Sequence, residues 1–370
     1  MSNKITMALT GPRQPIRVRP SRVSPRATSS PTRLNTPQRG YPTPSPLHNE
    51  QIIGGRFQVR KPLGAGGCGQ VYTGKDTLTG KPIALKIAAD GLERFILCKE
   101  GKVLDALANI NNPFIVRSYG WGEAEDFAYV AMEYVGGISL FDRISSSDRG
   151  SIPLTQALDI ITQISHGLEA AADQGIMHRD IKSDNIMINE FGLPKIIDWG
   201  LSQRSGPNGT LAYAAPEQIT GLDVDCRADI YSLGIVFYEM LTGNIPFRGI
   251  GGWDNTLPVL QAKAKSGQLE ISGVTDSVQQ LVDKMTTSVK ARRHQSYKEL
   301  RDDIAEIQDE IATLTQQVAD FERALDFNMA APPIAILPKP IDLQADIPTG
   351  IIGDTELAII AEQAGASIAA

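Results

Sequence analysis

A chain of 370 residues, 42% hydrophobic and 21% charged, can bury one large core or two moderate ones. The formal charge of −6 hides a split: residues 1–50 carry eight Lys or Arg against the single acid Glu50, so a segment of +7 precedes a body of −13. No apolar run approaches the ~18 residues of a membrane span, and the N-terminus lacks the apolar core of a signal peptide. Cys68, Cys98 and Cys226 are odd in number and far apart, which excludes a disulfide frame and reads as reduced thiols in a cytoplasmic protein.

Residues 1–50 hold nine prolines and twelve serines or threonines with almost no large apolar side chains. Burial there cannot offset the entropy of ordering, so the segment is expected to be a disordered basic tail. Its arginines could meet an acidic surface or nucleic acid. With Tyr41 as the lone aromatic, however, it lacks a stacking platform, so a solvated tail open to phosphorylation is preferred over nucleic-acid binding. Order begins near Ile52. Strands are expected over 57–63 and 70–75 around a glycine loop, and over 82–88 after the turn Leu78-Thr79-Gly80. A helix then carries Phe95, Leu97, Glu100, Val103, Leu104 and Leu107 at three- and four-residue spacing. Two strands near 114–120 and 127–133 follow. Beyond Gly136-Gly137 the pattern turns helical, with an amphipathic helix over Leu154–Asp173 and a more apolar one over Asp229–Leu241. Leu300, Ile304, Ile307, Ile311, Leu314, Val318, Phe321 and Leu325 alternate spacings of four and three, a heptad seam over 300–328. Either this seam joins two copies through residues 300–325, or its first turns close the helical body and the rest packs back. Residues 329–370 form a tail without a legible role.

Four groups of residues carry chemistry. Gly64, Ala65, Gly66, Gly67, Cys68, Gly69 and Val71 fit G-x-G-x-x-G-x-V, where glycines let backbone amides approach phosphate oxygens. Taken alone this pattern fits a plain glycine turn or a dinucleotide site. Here Val71-Tyr72-Thr73 continues as strand where a dinucleotide fold would start a helix. Lys86 sits in the apolar strand Ala84-Leu85-Lys86, either at an exposed edge or buried and paired, with Glu100 the natural partner. His178-Arg179-Asp180-Ile181-Lys182-Ser183-Asp184-Asn185 puts a carboxylate, a lysine and a carboxamide within a few positions. Asp180 can take a proton from an attacking hydroxyl, Lys182 can balance charge on a phosphoryl group, and Asn185 can offer its carbonyl oxygen to Mg²⁺. Thirteen residues after Asn185, Asp198-Trp199-Gly200 supplies a second carboxylate suited to the same ion.

In this order and spacing the chain resembles the eukaryotic-type protein kinase family, in the Ser/Thr form common in bacteria, over roughly residues 55–305. The resemblance implies an α+β, bilobal kinase fold over 51–305. Its small β-rich N-lobe (51–135) has one main helix, and its larger C-lobe (136–305) is helical. It implies ATP and Mg²⁺, with protein Ser or Thr hydroxyls as acceptors, the chain's own N-terminal tail among them. By that likeness Gly64–Val71 covers the phosphates, Lys86 anchors them and Glu100 holds Lys86. Met132 is the gatekeeper, and Glu133-Tyr134-Val135 the hinge whose backbone reads adenine. Leu63, Val71 and Ala84 above and Met187 below sandwich the base, although Met187 could equally be plain core. Asp180 is the catalytic base, Lys182 marks Ser/Thr specificity, and Asn185 and Asp198 hold the metal. Thr210 in Gly209–Glu217 bonds near Asp180 and Lys182. Glu217 pairs with Arg293, and Asp229 either holds the catalytic loop's backbone or is an ordinary helix N-cap.

Three departures stand out. Ser183 replaces the usual proline and is expected to be peripheral. Trp199 replaces the usual phenylalanine and must fit against the helix carrying Glu100, near Leu104. The segment Leu201–Ala214 is short, with Ser202, Ser205 and Thr210 as candidate phosphate acceptors and Arg179 as their clamp. Two rival readings are a non-catalytic scaffold dimerising through its heptad helix and a small-molecule phosphotransferase. Lys86, Glu100, Asp180, Asn185 and Asp198 together argue against the first; Lys182, Thr210 and Ala215-Pro216-Glu217 argue against the second.

Overall fold

A computed structural model describes residues 49–66, 69–89, 91–124, 126–200, 210–221, 223–250, 256–265 and 269–329. The expectations for both tails, for Gly67 and Cys68, and for residues 201–209 lie outside these. The strands β1 (Ile52–Ile53), β2 (Phe57–Gly66), β3 (Gly69–Asp76), β4 (Pro82–Ala88), β5 (Ser118–Glu123) and β6 (Ala128–Glu133) form one sheet in the order β1-β2-β3-β4-β6-β5. All neighbours run antiparallel.

Period-two alternation gives β4 its two roles. Ile83, Leu85 and Ile87 join Ile53, Phe57, Val59 and Tyr72 in one small core. Ala84 and Ala88 face the other way, into the main core. Lys86 shares that second face, which is why a lysine in this strand is buried. The helix α1 (Gly91–Leu107) lies against it and buries Leu97, Glu100, Leu104 and Leu107. Phe95 departs from the expected apolar face: it is 56% exposed and carries Lys99 Nζ 4.4 Å from its ring centre.

The strand expected over 114–120 begins only at Ser118, because the residues before it pair elsewhere. Ile196 donates its amide to the Phe114 carbonyl at 2.8 Å and accepts from the Val116 amide at 2.9 Å. This short parallel bridge ties the sheet domain to the second, three-stranded sheet of β7 (Gly137–Ser139), β8 (Ile186–Asn189) and β9 (Pro194–Ile196).

The rest is helical: α2 (Leu140–Ser146), α3 (Leu154–Ala172), α4 (Thr210–Tyr213), α5 (Pro216–Thr220), α6 (Cys226–Thr242), α7 (Leu257–Lys265), α8 (Asp276–Thr286) and α9 (Tyr297–Met329). Helix α6 is buried nearly all round, from Ala228 to Met240, and serves as the platform for the neighbouring loops. Helix α9 begins in the core, where Tyr297, Leu300, Ile304 and Ile307 are buried. Ile311 packs against the same core and Phe321 is 65% exposed. The first turns of the heptad seam therefore close the helical lobe. No described helix is long and apolar enough to cross a membrane.

The turn between β3 and β4 is held by a paired charge. Asp76 is fully buried and accepts from Arg56 Nε and Nη2, both at 2.8 Å, and from the Leu78 amide at 3.1 Å. Hydrogen bonding to Arg56 and Thr79 outweighs burial and holds the Asp76 carboxyl well below the usual carboxylate range. A carboxylate depressed in the folded state stabilises the fold in full above its unfolded pKa of about 4, and that contribution shrinks as pH falls below it, vanishing only as pH passes the depressed folded value. Asp76→Asn is expected to lower stability at pH 7 by about 1–2 kcal/mol, allowing for the partial exposure of Arg56. Denaturant unfolding of both proteins from pH 7 to pH 2 checks this: the gap should be constant above about pH 4 and narrow steadily below it, and a pH-independent gap would contradict it.

Candidate active site

The site grows from three backbone devices. The first is the close packing of the glycine strand on β4. A Cβ on Gly69 would meet the Ile87 carbonyl oxygen at 2.2 Å, and φ there is +118°, so only glycine fits. Gly64, Ala65 and Gly66 end β2, and Val71 pairs with Lys86 across β3 and β4. The second is the loop 178–185. Its His178 and Arg179 amides both donate to the Asp229 carboxylate, at 2.9 and 2.8 Å. Asp229 is buried within α6, whose N-cap is Asp225, accepting from the Arg227 amide. Asp229 thus holds the loop rather than capping its own helix. Burial raises the Asp229 carboxyl, with His178 and the two amides opposing it. Arg179 itself adopts φ +65°, a strained backbone for a side-chain-bearing residue. The third is the 197–200 turn. His178 Nε2 lies 3.0 Å from the Ile197 carbonyl, and the Ile197 amide donates to the Asn185 carbonyl at 2.9 Å. These bonds hold Asp198, at φ +64°, beside the 178–185 loop.

Two charge clusters result. In the first, Lys86 Nζ donates to Glu100 Oε2 at 2.7 Å and to Asp198 Oδ1. Lys86 is 8% exposed and Glu100 fully buried, so the edge-lysine alternative is excluded. Burial works against the ammonium, but Glu100 and Asp198 outweigh it and keep Lys86 protonated above its ordinary range. Burial lifts the Glu100 carboxyl, countered by Lys86. Burial would also raise Asp198, but Lys86 prevails and lowers it. A Cβ on Gly200 would lie 3.1 Å from Glu100 Oε2, so a larger residue there would press on this cluster.

In the second cluster Lys182 Nζ lies 3.1 Å from Asp180 Oδ2. Asn185 Nδ2 donates to the Asp180 carbonyl at 2.9 Å and to Asp180 Oδ2 at 3.0 Å. The side-chain nitrogen is thereby committed, leaving Asn185 Oδ1 as the atom for a cation. Among the described residues no group of three or more His, Cys, Asp or Glu forms a closed metal cage. An amide oxygen and the Asp198 carboxylate, completed by phosphate oxygens, fit the open sites that Mg²⁺ favours.

The remaining candidates lie on or beside β2, β4, β6 and β8 and in the helical lobe. Ala84 pairs with Met132, and Ile83 with Glu133; Met132 is buried, and Val135 packs on the main core. Leu63 is 50% exposed. Met187, in β8, is opposite Ser139 and Lys195. The Glu133 side chain points away from any base-reading role, accepting from Lys195 Nζ at 2.9 Å and the Arg117 amide at 3.2 Å. Thr210 opens α4, its side chain lying outside the described part. Glu217 and Arg293 form the expected fork, Oε1–Nη1 2.5 Å and Oε2–Nη2 2.8 Å. Cys98 and Cys226 are free thiols.

Ser183 is not peripheral. It is fully buried and bonded to Glu239 and Tyr213. Lys263 is a second unforeseen contributor: its buried ammonium donates to the Ala212 carbonyl at 2.7 Å. Burial pulls its pKa down to about 7. A sequence signal existed for Glu239, the one acid in the apolar run Ile230–Leu241, since a carboxylate there needs partners. Lys263 gave none.

The comparisons agree with this architecture. The protein kinase domain model matches residues 57–303. A probable serine/threonine-protein kinase of Clostridium perfringens is 32% identical over 284 residues, 74% of this chain and 41% of that one. The serine/threonine-protein kinase PrkC of Bacillus subtilis is 31% identical over 268 residues, 68% and 40% of the two chains. The chain thus spans about two fifths of these relatives' length. The PknI kinase domain of Mycobacterium tuberculosis superposes with TM-score 0.57 at 24% identity, over 70% of this chain and 99% of that one, a likeness of fold. The chain belongs to the protein kinase domain family.

Trp199 is buried with Leu97 and Leu104 in the main core and packs edge-on to His178, ring centres 4.8 Å apart. Among the described residues its indole N–H has no hydrogen-bond partner. Trp199→Phe removes that orphan donor but opens a void, two effects of about 1–2 kcal/mol each and opposite sign. The larger ring is expected to favour the arrangement in which Asp198 meets Lys86, so any phosphoryl transfer by the chain should stay level or fall in Trp199→Phe. A marked gain in transfer rate, measured under saturating nucleotide, would contradict this.

Proposed function

We propose that the chain is an ATP-dependent protein serine/threonine kinase, transferring the γ-phosphoryl group of MgATP to Ser or Thr hydroxyls of proteins. The observation that carries the reading is two charge clusters, Lys86 with Glu100 and Asp198, and Asp180 with Lys182 and Asn185, joined by the bond from the Ile197 amide to the Asn185 backbone carbonyl. In this reading Lys86 binds the α- and β-phosphates, and the glycine strand covers them with backbone amides. The acceptor hydroxyl donates to Asp180, which takes its proton as the hydroxyl oxygen bonds the γ-phosphorus. The bond from that phosphorus to the β,γ-bridging oxygen breaks, and ADP carries away the electron pair. Lys182 offsets charge on the equatorial oxygens. Bound Mg²⁺ would supply charge neutralisation to the β- and γ-phosphates, held by Asn185 and Asp198.

Adenine fits between Leu63, Val71 and Ala84 on one side and Met187 on the other, with backbone groups of 133–135 as its polar contacts. The Glu217–Arg293 fork and the Asp229 bonds support a rigid platform for a peptide beneath this loop. Lys182 and Thr210 favour a Ser or Thr acceptor. The chain's own basic tail, with twelve Ser or Thr in residues 1–50, is a natural first substrate.

Radiolabel transfer from ATP to a generic basic protein tests the reading. Asp180→Asn should lose transfer by at least ~100-fold, the usual worth of a positioned general base, and chelation of divalent cations should abolish transfer by wild type. Equal transfer by wild type and Asp180→Asn would sink it.

A further inference from the structure

We propose that Ser183 is a positioning residue for the protein substrate: through the buried Glu239 carboxylate it sets the 210–215 segment against the Asp180 loop. This rests on the kinase reading of that loop and goes beyond it, since the position was expected to be inert.

Three side chains from three elements close a triangle. Ser183, in the short 3-10 turn Ser183–Asn185, donates from Oγ to Glu239 Oε1 at 3.0 Å. Tyr213, ending α4, donates its hydroxyl to Glu239 Oε2 at 2.8 Å. The two hydroxyls lie 3.1 Å apart. Ser183, Tyr213 and Glu239 are all buried, and among the described residues no cation is bonded to Glu239. Each carboxylate oxygen therefore has one hydroxyl for its solvation, and those hydroxyls come from the two segments whose relative position matters. Burial raises the Glu239 carboxyl, and the Tyr213 and Ser183 bonds oppose it.

Both ends of the triangle bear on the site. Ser183 follows Lys182, which pairs with Asp180, and the Asn185 amide closes the turn onto the Lys182 carbonyl at 3.0 Å. A shift of Ser183 thus moves both side chains that hold Asp180. On the other side the Tyr213 carbonyl accepts from Ser232 Oγ at 3.1 Å, and the neighbouring Ala212 carbonyl from Lys263 Nζ. With its backbone fixed to α6 and α7, the segment reaches the reacting loop, among the described residues upstream of Ala215, through the Tyr213 hydroxyl. Downstream, Gln218 donates to the Arg179 carbonyl at 2.8 Å and accepts from the Ala215 amide at 2.9 Å, a second tie beyond Tyr213. A proline at 183 has no hydroxyl and would leave Glu239 one donor short, so the triangle belongs to the serine in this chain.

The adenine and Lys86 contacts lie elsewhere, on β2–β4, at 133–135 and at Met187; of the groups assigned to MgATP, Asn185 shares the Ser183 turn. Losing the serine hydroxyl should accordingly be felt more by peptide than by ATP, most of whose contacts are untouched, whereas a serine that merely stabilises the core would affect both equally or neither. Steady-state transfer to a serine-containing basic peptide decides between them. Ser183→Ala should raise the peptide KM roughly 5–20-fold, the worth of one hydrogen bond to a buried group, with a clearly smaller change in the KM for ATP. Ser183→Thr, which keeps the hydroxyl, should restore the peptide KM. Tyr213→Phe should reproduce the Ser183→Ala effect from the other end, and serves alone if Ser183→Ala does not fold. The double variant should be no worse than the weaker single variant, as members of one network behave. A wild-type peptide KM in Ser183→Ala, equal shifts for ATP and peptide, or additive effects in the double variant would overturn the proposal. Wild type that transfers to no peptide would overturn instead the reading on which it rests.

Discussion

A single ammonium group joins the parts of this molecule that must act together. Lys86 leaves β4 on the face that meets α1, and it reaches Glu100 on that helix and Asp198 in the turn before Gly200. A buried cation between two carboxylates contributes little net stability, because desolvation of the three charges roughly offsets their attraction. Such a cluster persists for what it positions. Here it fixes the helix α1, the sheet and the 197–200 turn relative to one another, and leaves a net negative site in which Lys86 is always charged. Remove the pairing and α1 has no polar reason to lie where it does; Glu100, buried and unpaired, would then cost several kcal/mol.

The second half of the site is organised from α6. That helix is apolar almost throughout, yet it carries acids that bond backbone or side chains of neighbouring loops. Asp229 takes the amides of His178 and Arg179, and Glu239 takes the hydroxyls of Ser183 and Tyr213. Arg293 adds a third brace, gripping Glu217 with two nitrogens and the Arg227 carbonyl at 3.0 Å with one. The 178–185 loop and the 210–215 segment are thus suspended from a rigid buried rod. This converts loop residues, which would otherwise lose affinity to their own mobility, into fixed groups.

Much of this was legible in the amino-acid sequence, for reasons that differ by residue. Lys86 could be read because a lysine in an apolar strand demands a partner and Glu100 lay on the next helix. The pairing of Glu217 with Arg293 followed only from the family likeness, since 76 residues separate them. What sequence missed were matters of tertiary partnership. Ser183 looks like a polar turn residue until Glu239 arrives from a helix 56 positions away. The strand expected from 114 begins at Ser118 because Phe114 and Val116 spend their backbone groups on Ile196. Phe95 carries the helical spacing of a core residue but faces outward under Lys99. The heptad seam was ambiguous by nature, as periodicity states that one face is apolar and not what covers it; the fold supplies the answer for Leu300 to Ile311.

The most direct test separates holding the nucleotide from using it, through the group on which the cleft turns. Nucleotide binding and single-turnover transfer should be measured side by side for wild type and Lys86→Met with Mg²⁺ present. Loss of the ammonium is predicted to cut transfer by more than ~100-fold, as removal of a preorganised charge does. The dissociation constant for MgATP should change by less than about tenfold, since adenine and glycine-strand contacts remain. Transfer by Lys86→Met at the wild-type rate would contradict the account.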